Sequence, residues 1–221
     1  MGADKAFDPL LLILNPRRIE ECIASFEALD IPRAWLAGYT EAELEEAFPR
    51  LVEETAYSHY VVVSDDVVAS QAALDAVRAL LGQHPVVTGY CNLTEGDEHV
   101  NLAPAPLPGP EPTTAGCGWY REDEVASWPV DPVPTYFAGM AFTGMSRDMW
   151  RRFPFRVVGS GAGCCSDWHL SWRLTDAGIP IVAPKGGWIR HLKRPWNNPD
   201  LKNPQKRLLI GEIEPEVRLE A

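Results

Sequence analysis

The segment that constrains this chain most is Tyr60 to Asp66, where an apolar, β-branched run ends abruptly in two adjacent carboxylates. A continuous run of this kind is typical of a strand buried on both faces of a largely parallel sheet. Asp65 and Asp66 would then lie at the carboxyl end of that strand, where open α/β sheets bind their ligands. Two acids at this edge suit Mg²⁺ or Mn²⁺, which takes one or two protein carboxylates and adds water and phosphate oxygens. A solvated turn that caps the next helix explains the same residues equally well.

The segments around this strand alternate between strand and helix patterns. Apolar runs predict strands at Leu10–Leu14, around Ala34–Leu36, and at Val86–Tyr90. Apolar residues at helical spacing predict three helices: Arg17–Leu29, one that begins with a capping box at Thr40 and kinks or breaks at Pro49, and one capped by Ser70. This alternation predicts an α/β fold, with a mixed, mostly parallel, Rossmann-like sheet flanked by helices in a single domain over residues 1–192.

A proline-rich insertion, residues 102–134, interrupts this alternation. It contains eight prolines, a density that predicts no regular element between Leu102 and Pro134. It also carries Trp119, Tyr120 and Trp128. A long loop with aromatic residues in a compact domain is often a lid or a binding loop, and a partly disordered connection is the alternative.

Regular structure is expected to return at Tyr136–Phe142. Further elements are predicted as follows: a short helix at Arg147–Phe153 capped by Ser146, a helix from Ser166-Asp167 to Gly178, and strands at Ile179–Ala183 and Trp188–His191. The glycine-rich Val157–Cys165 segment has neither GxGxxG nor a P-loop lysine, so it is no phosphate-binding fingerprint. Residues 193–221 form a C-terminal tail of mixed charge, which wraps the domain or stays mobile.

Composition narrows the function classes. The net charge of -11 argues against non-specific nucleic-acid binding, which depends on a basic surface. Leu10–Leu14 is too short to span a bilayer, so no transmembrane segment is predicted there. Five scattered cysteines without a CxxC pair are typical of reduced thiols in a cytoplasmic protein. Zinc held by Cys164, Cys165 and His169 is disfavoured, because adjacent cysteines rarely share one tetrahedral site.

Three separated features have a common explanation. They are Ser64-Asp65-Asp66 at a strand end, the helix opening at Ser166-Asp167, and His191 at the end of a late strand. Together they resemble the GT-A glycosyltransferases, in particular the family 2-like inverting enzymes, over Leu10 to Leu192. That family has a D-x-D-like triplet after an apolar strand and a later helix of the form E-D-x-D-L-x-x-R-L that ends in Ala-Gly. The residues that fall on this helix pattern are Asp167, Leu170, Arg173, Leu174, Ala177 and Gly178.

The resemblance implies a transferase that moves a sugar from a nucleotide-sugar donor to an acceptor hydroxyl with inversion. Mn²⁺ or Mg²⁺ would be held by Asp65, Asp66 and His191, and Asp167 would be the general base. The residues implied at the nucleotide are Asn15, Pro16, Arg17, Asp65 and Asp66. The acceptor stays open between a glycan, a protein, a lipid-linked intermediate and a modified nucleobase, and the oligomeric state is open as well.

Two other functions remain possible at this point. A sugar-phosphate nucleotidyltransferase also uses acids at strand ends, but it needs a glycine-rich loop after the first strand, which Asn15–Arg18 does not supply. A catalytically silent nucleotide-sugar-binding module is favoured by Ser64, Ser166 and His169, which replace acids of the family pattern. Taken alone, Asp167 is also a favourable first-turn residue, and His191 could be a core histidine.

Overall fold

The computed structural model describes residues 9–15, 19–37, 41–111, 117–154, 156, 166–192 and 216–220. The strands in these ranges are β1 (Pro9–Asn15), β2 (Arg33–Ala37), β3 (His59–Ser64), β4 (Val67–Val68), β5 (Val86–Thr88), β6 (Val133–Thr135), β7 (Ala141–Ser146), β8 (Ile181–Ala183), β9 (Arg190–His191) and β10 (Glu216–Glu220). The helices are α1 (Glu20–Glu27), α2 (Glu41–Glu54), α3 (Gln71–Leu80), α4 (Glu122–Ser127), α5 (Arg147–Arg152) and α6 (Ser166–Asp176), with a 3-10 turn at Lys185–Gly187. None of the helices in these ranges could cross a membrane.

The main sheet has the strand order β10-β2-β1-β3-β7-β5-β8-β6. Strand β1 pairs in parallel with β2 and β3, and β5 pairs in parallel with β8. Strand β7 runs antiparallel between β3 and β5, and β6 and β10 are antiparallel edge strands. Five of the eight strands described here therefore run in one direction, which confirms the mixed, mostly parallel sheet. Strands β4 and β9 form a separate two-stranded ribbon.

Helices cover both faces of this sheet. In β1, Leu10, Leu12 and Leu14 belong to one buried cluster, and Leu11 and Ile13 to another, because successive side chains point to opposite faces. Helices α2, α5 and α6 pack on the first face, and α1 and α3 pack on the second. Burial on both faces explains why the central strands are continuously apolar.

The helix ends agree with the sequence at three points and differ at one. The Ser70 and Ser146 hydroxyls accept hydrogen bonds from the amides of Ala73 and Met149, both at 3.2 Å, and so cap α3 and α5 as predicted. Gly178, with φ of 68°, follows the end of α6. Of the two outcomes predicted at Pro49, a kink or an early break, the break is wrong, because α2 continues to Glu54. The residues after Pro49 in α2 are anchored by burial of Leu51 and Val52, which offsets the lost backbone hydrogen bond. Thr40 lies outside the described residues.

The prediction that no regular element lies between Leu102 and Pro134 is wrong. This segment contains α4 and β6. Strand β6 pairs with β8 at the edge of the sheet, where Pro134 is tolerated because an edge strand can leave one N–H side unpaired. The residues that anchor the segment in a small core are Tyr90, Val100, Leu102, Tyr120, Val125, Val133 and Ala183.

Two more elements differ from the sequence prediction. Regular structure was expected from Tyr136, but β7 begins only at Ala141. The amides of Tyr136 and Ala138 bond to the Ala103 carbonyl and the Ser171 hydroxyl instead of a strand ladder. The end of the C-terminal tail, for which no strand was predicted, forms β10 beside β2, and the guanidinium of Arg218 lies 5.1 Å from the Trp35 ring centroid. Residues 193–215 lie outside the described ranges.

Candidate functional site

The two acids lie at the carboxyl end of β3, as the sequence predicted. The strand ends at Ser64, and Asp65 and Asp66 form the turn into β4. Leu14 of β1 is the register partner of Ser64, so Asn15 lies level with Asp65 at the same edge. Asp65 is 1% exposed, whereas Asp66 is half-buried. The parallel strands therefore present carboxylates where α/β sheets bind ligands.

The β4–β9 ribbon brings His191 to this edge. Val67 is the register partner of His191, and the amide of Leu192 donates to the Asp66 carbonyl at 2.7 Å. His191 Nε2 consequently lies 3.4 Å from Asp66 Oδ2. On the other side of the carboxylate, the Ser64 hydroxyl donates to Asp66 Oδ1 at 2.7 Å. Two neighbours thus fix the orientation of the Asp66 carboxylate.

The second ring nitrogen of His191 is also anchored. Nδ1 lies 2.8 Å from the carbonyl oxygen of Asn92, and because a carbonyl only accepts, Nδ1 carries the proton. Burial by itself would lower the pKa of His191, but its hydrogen bonds with Asp66 and Cys91 raise that pKa to about 10. At neutral pH His191 is therefore an imidazolium paired with Asp66.

The donor set of this pair fits a divalent cation. A histidine whose Nδ1–H is held by a backbone carbonyl presents Nε2 as metal-ligating histidines do. Binding an ion there would release the His191 proton, because the ligand must be neutral. In the ranges that the structure covers, no three His, Cys, Asp or Glu side chains are arranged so that they could hold one metal ion by themselves. Asp66 and His191 would therefore share the ion with oxygens of the substrate and water, and Asp65 as a third ligand stays a prediction.

Asp167 lies in the first turn of α6, at the same edge of the sheet. Its Oδ1 accepts from the amide of Trp168 at 2.8 Å, and its carbonyl accepts from the Ser171 hydroxyl at 2.6 Å. That hydroxyl also accepts from the amide of Ala138 at 2.8 Å. Two residues later, the carbonyl of Met140 accepts from the amide of Ser64 at 2.7 Å. The short segment 138–140 thus connects the first turn of α6 to the end of β3.

A β-bulge in β7 shapes this connection. Val62 pairs with Thr143 and Val63 with Ala141, so Phe142 is the extra residue. Phe142 has φ of 61° and is fully buried, and its carbonyl accepts from the amide of Gly89 at 3.0 Å. Bulges of this kind bend a strand and re-aim the chain that precedes it. Here the bulge directs the 138–140 segment from β3 towards α6.

Part of the proline-rich segment packs next to Asp167, against Trp168. The indole Nε1 of Trp168 donates to the Gly109 carbonyl at 2.8 Å. The rings of Trp119 and Phe137 meet edge to face at 5.1 Å, and those of Phe137 and Trp168 at 6.4 Å. Leu107 is buried in the same cluster. The part of the segment around Leu107, Gly109 and Trp119 therefore packs against the first turn of α6.

Not every predicted site residue is covered by the structure. The side chain of Asn15 is not described, and Pro16 and Arg17 lie outside the described residues. Their contact with a nucleotide stays a prediction. Cys164 and Cys165 are also outside the described residues, whereas Cys91 and Cys117 carry free thiols.

The sequence did not reveal two residues of this site. Ser64 looked only like a replacement of an acid, although its two-residue spacing from Asp66 was the available signal for a supporting hydroxyl. Asn92 gave no signal, because it lies 99 residues from His191 and contacts it through its backbone carbonyl. Only the folded chain brings that carbonyl to the imidazole.

A groove between α2 and α5 lies away from this site. The residues that line it are Glu45, Glu46, Pro49, Val52, Glu53, Trp150, Arg151, Pro154 and Arg156. Helix α5 follows Ser146, which pairs with His59 at the start of β3. The groove is therefore associated with the amino end of the parallel strands, opposite the carboxylates.

Comparison with known proteins identifies the fold. No protein-family model matches the chain, and no curated protein matches it in sequence. A197 from STIV has a similar structure, with a TM-score of 0.55, 16% identity, and coverage of 81% of this chain and 82% of that chain. GalNAc-T7, solved with UDP, GalNAc and Mn²⁺, gives a TM-score of 0.57 and 7% identity over 86% of this chain and 45% of that chain. This chain therefore spans less than half of GalNAc-T7. The likeness establishes the GT-A glycosyltransferase fold.

Proposed function

We propose that this chain is a nucleotide-sugar-dependent glycosyltransferase of the family 2-like, inverting kind. It would transfer a sugar from a nucleoside diphosphate sugar to an acceptor hydroxyl. The observation that carries the proposal is the Asp66–His191 pair at the carboxyl end of β3. The pair lies in a fold shared with GalNAc-T7, which was solved with UDP, GalNAc and Mn²⁺. Because fold alone does not fix function, the proposed activity depends on the residues of the site.

The first role is to hold the donor diphosphate. Asp65 and Asp66 would repel a diphosphate by themselves, so this edge needs a cation to bind one. A bound Mn²⁺ or Mg²⁺ supplies positive charge that stabilises the diphosphate as it leaves. Asp66 and His191 would hold the ion, with Ser64 and Asn92 keeping both ligands in orientation. The imidazole nitrogen in this set favours Mn²⁺ over Mg²⁺, which prefers oxygen alone.

The second role is to accept the proton of the attacking hydroxyl. Asp167 is half-buried in the first turn of α6, where the helix dipole and the Trp168 amide both favour its ionised form. A general base must reach the proton while it stays ionised. Inversion requires that the acceptor oxygen attack from the side opposite the diphosphate. The 138–140 segment sets the start of α6 against the end of β3, which supports this assignment.

One of the three residues that favoured a catalytically silent binding module, Ser64, no longer does so. Ser64 replaces an acid of the family pattern, yet its hydroxyl donates to Asp66 and supports the proposed ligand. Ser166 and His169 remain the features that favour a binding module without turnover. A nucleotidyltransferase would still need the glycine-rich loop that does not follow β1.

Calorimetry with nucleoside diphosphates tests the binding step. UDP, GDP, ADP, CDP and dTDP are titrated into the protein with Mn²⁺ and with a chelator, for wild type and for Asp66→Asn. Asp148→Asn is the matched control, because Asp148 is an exposed acid on α5. We expect at least one nucleotide to bind wild type in the presence of Mn²⁺ and to bind more weakly when the ion is chelated. Asp66→Asn should weaken this binding, whereas Asp148→Asn should not. Equal affinity with and without Mn²⁺ in wild type would contradict the metal assignment. A donor-hydrolysis assay with the matching nucleotide sugar then separates an enzyme from a binding module.

A further inference from the structure

Trp188 is an exposed aromatic residue that is hydrogen-bonded through its side chain and flanked by hydrogen-bonded backbone. It is 39% exposed, and its indole Nε1 donates to Asn92 Oδ1 at 3.0 Å. Its backbone neighbours are fixed as well, since Tyr90 donates its amide to the Gly187 carbonyl and accepts from the Ile189 amide, both at 2.9 Å. The polar edge of the indole is satisfied, and part of the ring meets solvent. A partly exposed aromatic ring whose orientation is set by a hydrogen bond can stack on a ligand at little entropic cost.

Trp188 also connects to the candidate ion site through one residue. The side-chain oxygen of Asn92 accepts a hydrogen bond from the Trp188 indole, and its backbone carbonyl accepts one from the His191 imidazole. A ligand that contacts the indole would therefore lie close to the Asp66–His191 pair.

The position in the sheet indicates which substrate this would be. Trp188 follows β8 and Asn92 follows β5, and both strands lie on the opposite side of β3 from β1. The predicted nucleotide contacts begin at Asn15, at the end of β1. The nucleotide would then occupy one side of the Asp66–His191 pair, and Trp188 would face the other side, which is left for the acceptor.

The surrounding charges indicate the chemical class. The side-chain amide of Asn92 contacts the Asp97 carbonyl at 2.8 Å and the Glu122 carboxylate at 3.3 Å. The guanidinium of Arg121 is paired with Glu98 at 2.7 Å and Asp123 at 3.2 Å, and that of Arg190, next to His191, is paired with Glu21. Exposed carboxylates repel an anionic acceptor and can accept hydrogen bonds from hydroxyls. An apolar ring face beside carboxylates suits a neutral sugar, which has C–H faces and hydroxyl edges.

We infer that Trp188 is the stacking platform for a ring of a neutral saccharide acceptor. The inference rests on the proposed function, because it assigns the second substrate of that reaction. Among the acceptors that the sequence left open, it selects a glycan. Trp188 would determine acceptor specificity and would take no part in the transfer step.

Indole NMR tests the platform without turnover. The Trp188 Nε1–H resonance is assigned by its loss in Trp188→Phe, and the buried Trp150 provides an internal control. The probes are methyl glycosides of glucose, galactose, mannose and N-acetylglucosamine and their β-linked disaccharides. We expect at least one to shift the Trp188 resonance saturably while the Trp150 resonance stays in place. If none of these saccharides shifts it, the inference is wrong.

Transfer kinetics supply the second test, with the saccharide found by NMR. Trp188→Ala should raise the acceptor KM roughly tenfold, the factor expected from uncovering part of an indole face. The acceptor KM of Trp188→Phe should lie between those of wild type and Trp188→Ala. Tyr136→Ala is the matched control, because Tyr136 is 38% exposed but follows Thr135, the partner of Ile181 at the amino end of β8. An unchanged acceptor KM in Trp188→Ala would overturn the inference.

The two proposals fail separately. Metal-dependent nucleotide binding with no saccharide shift at Trp188 overturns the platform and leaves the proposed function standing. A saturable saccharide shift without nucleotide binding supports the platform but contradicts the glycosyltransferase.

Discussion

The carboxylate of Asp66 and the imidazole of His191 face each other at 3.4 Å because Val67 and His191 are partners across the β4–β9 ribbon. This ribbon lies outside the main sheet, so two short strands rather than the large core set the geometry of the pair. The Ser64 hydroxyl and the Asn92 carbonyl complete the arrangement. The proposed metal site is therefore sensitive to changes that leave most of the fold intact.

The first prediction concerns the pH dependence of stability. Hydrogen bonds raise the pKa of His191 from the ordinary 6.5 to about 10 in the folded chain. The folded state then binds a proton that the unfolded state releases, so this stabilisation is complete below pH 6.5 and is lost as the pH rises towards 10. The free energy of unfolding, measured by urea denaturation without metal, should fall over this range in wild type. His191→Gln should flatten the decline, whereas the control His84→Gln should keep it. A decline of equal size in His191→Gln would contradict the pair.

The second prediction concerns Ser64. Ser64→Ala removes the hydroxyl that donates to Asp66 Oδ1 at 2.7 Å and leaves the carboxylate less fixed. Loss of a supporting partner of a ligand typically weakens metal affinity about 10- to 100-fold. Mn²⁺-dependent nucleotide affinity, measured by calorimetry, should fall by a factor in this range. Ser127→Ala, in an exposed turn of α4, is the control. If Ser64→Ala binds like wild type, the hydroxyl has no supporting role.

The third prediction separates two candidate bases. Asp167→Asn should keep the fold and the donor affinity yet lose transfer by roughly 10²- to 10⁴-fold, since an amide cannot accept the proton. His169 is the competitor, because burial and the charge of Arg173 lower its pKa and favour the neutral imidazole. His169 also packs against the ring of Trp172, with ring centroids 6.2 Å apart. Transfer assays of Asp167→Asn and His169→Gln decide between them. Near-normal rates in Asp167→Asn with none in His169→Gln would reverse the assignment.

The fourth prediction concerns the proline-rich segment. Leu107 is 5% exposed and packs with Phe137 and Trp168, so this part of the segment belongs to the core. Leu107→Ala should lower the free energy of unfolding by about 2–5 kcal/mol, as for other buried leucines. Val130→Ala, at a position 59% exposed in the same segment, should change it by less than about 0.5 kcal/mol. Denaturant titration measures both. If Leu107→Ala has only a small effect on the free energy of unfolding, this part of the segment is a passive connection and not part of the core.

Much of the framework could be read from local patterns. Three kinds of local prediction are confirmed by the structure: the apolar strand before Asp65, the caps at Ser70 and Ser146, and the glycine after α6. Each of these depends on interactions within a few residues. The errors came where distant partners decide. The density of prolines did not indicate that β6 would pair with β8. The sequence of the tail did not indicate that Val217 would pair with Leu36. Strand pairing across long separations depends on what else is buried, which a local pattern does not contain.

The sequence by itself determined the alternation of buried strands and helices, and it placed the acids at the end of β3, because hydrophobic periodicity and capping are local properties. Tertiary structure alone decided that the Asn92 carbonyl would meet His191, that the same residue would hold Trp188, and that segment 138–140 would connect Ser64 to the helix of Asp167. Those contacts join backbone groups and side chains far apart in the chain. Their distances are set by sheet order and by the bulge at Phe142, neither of which has a local signature.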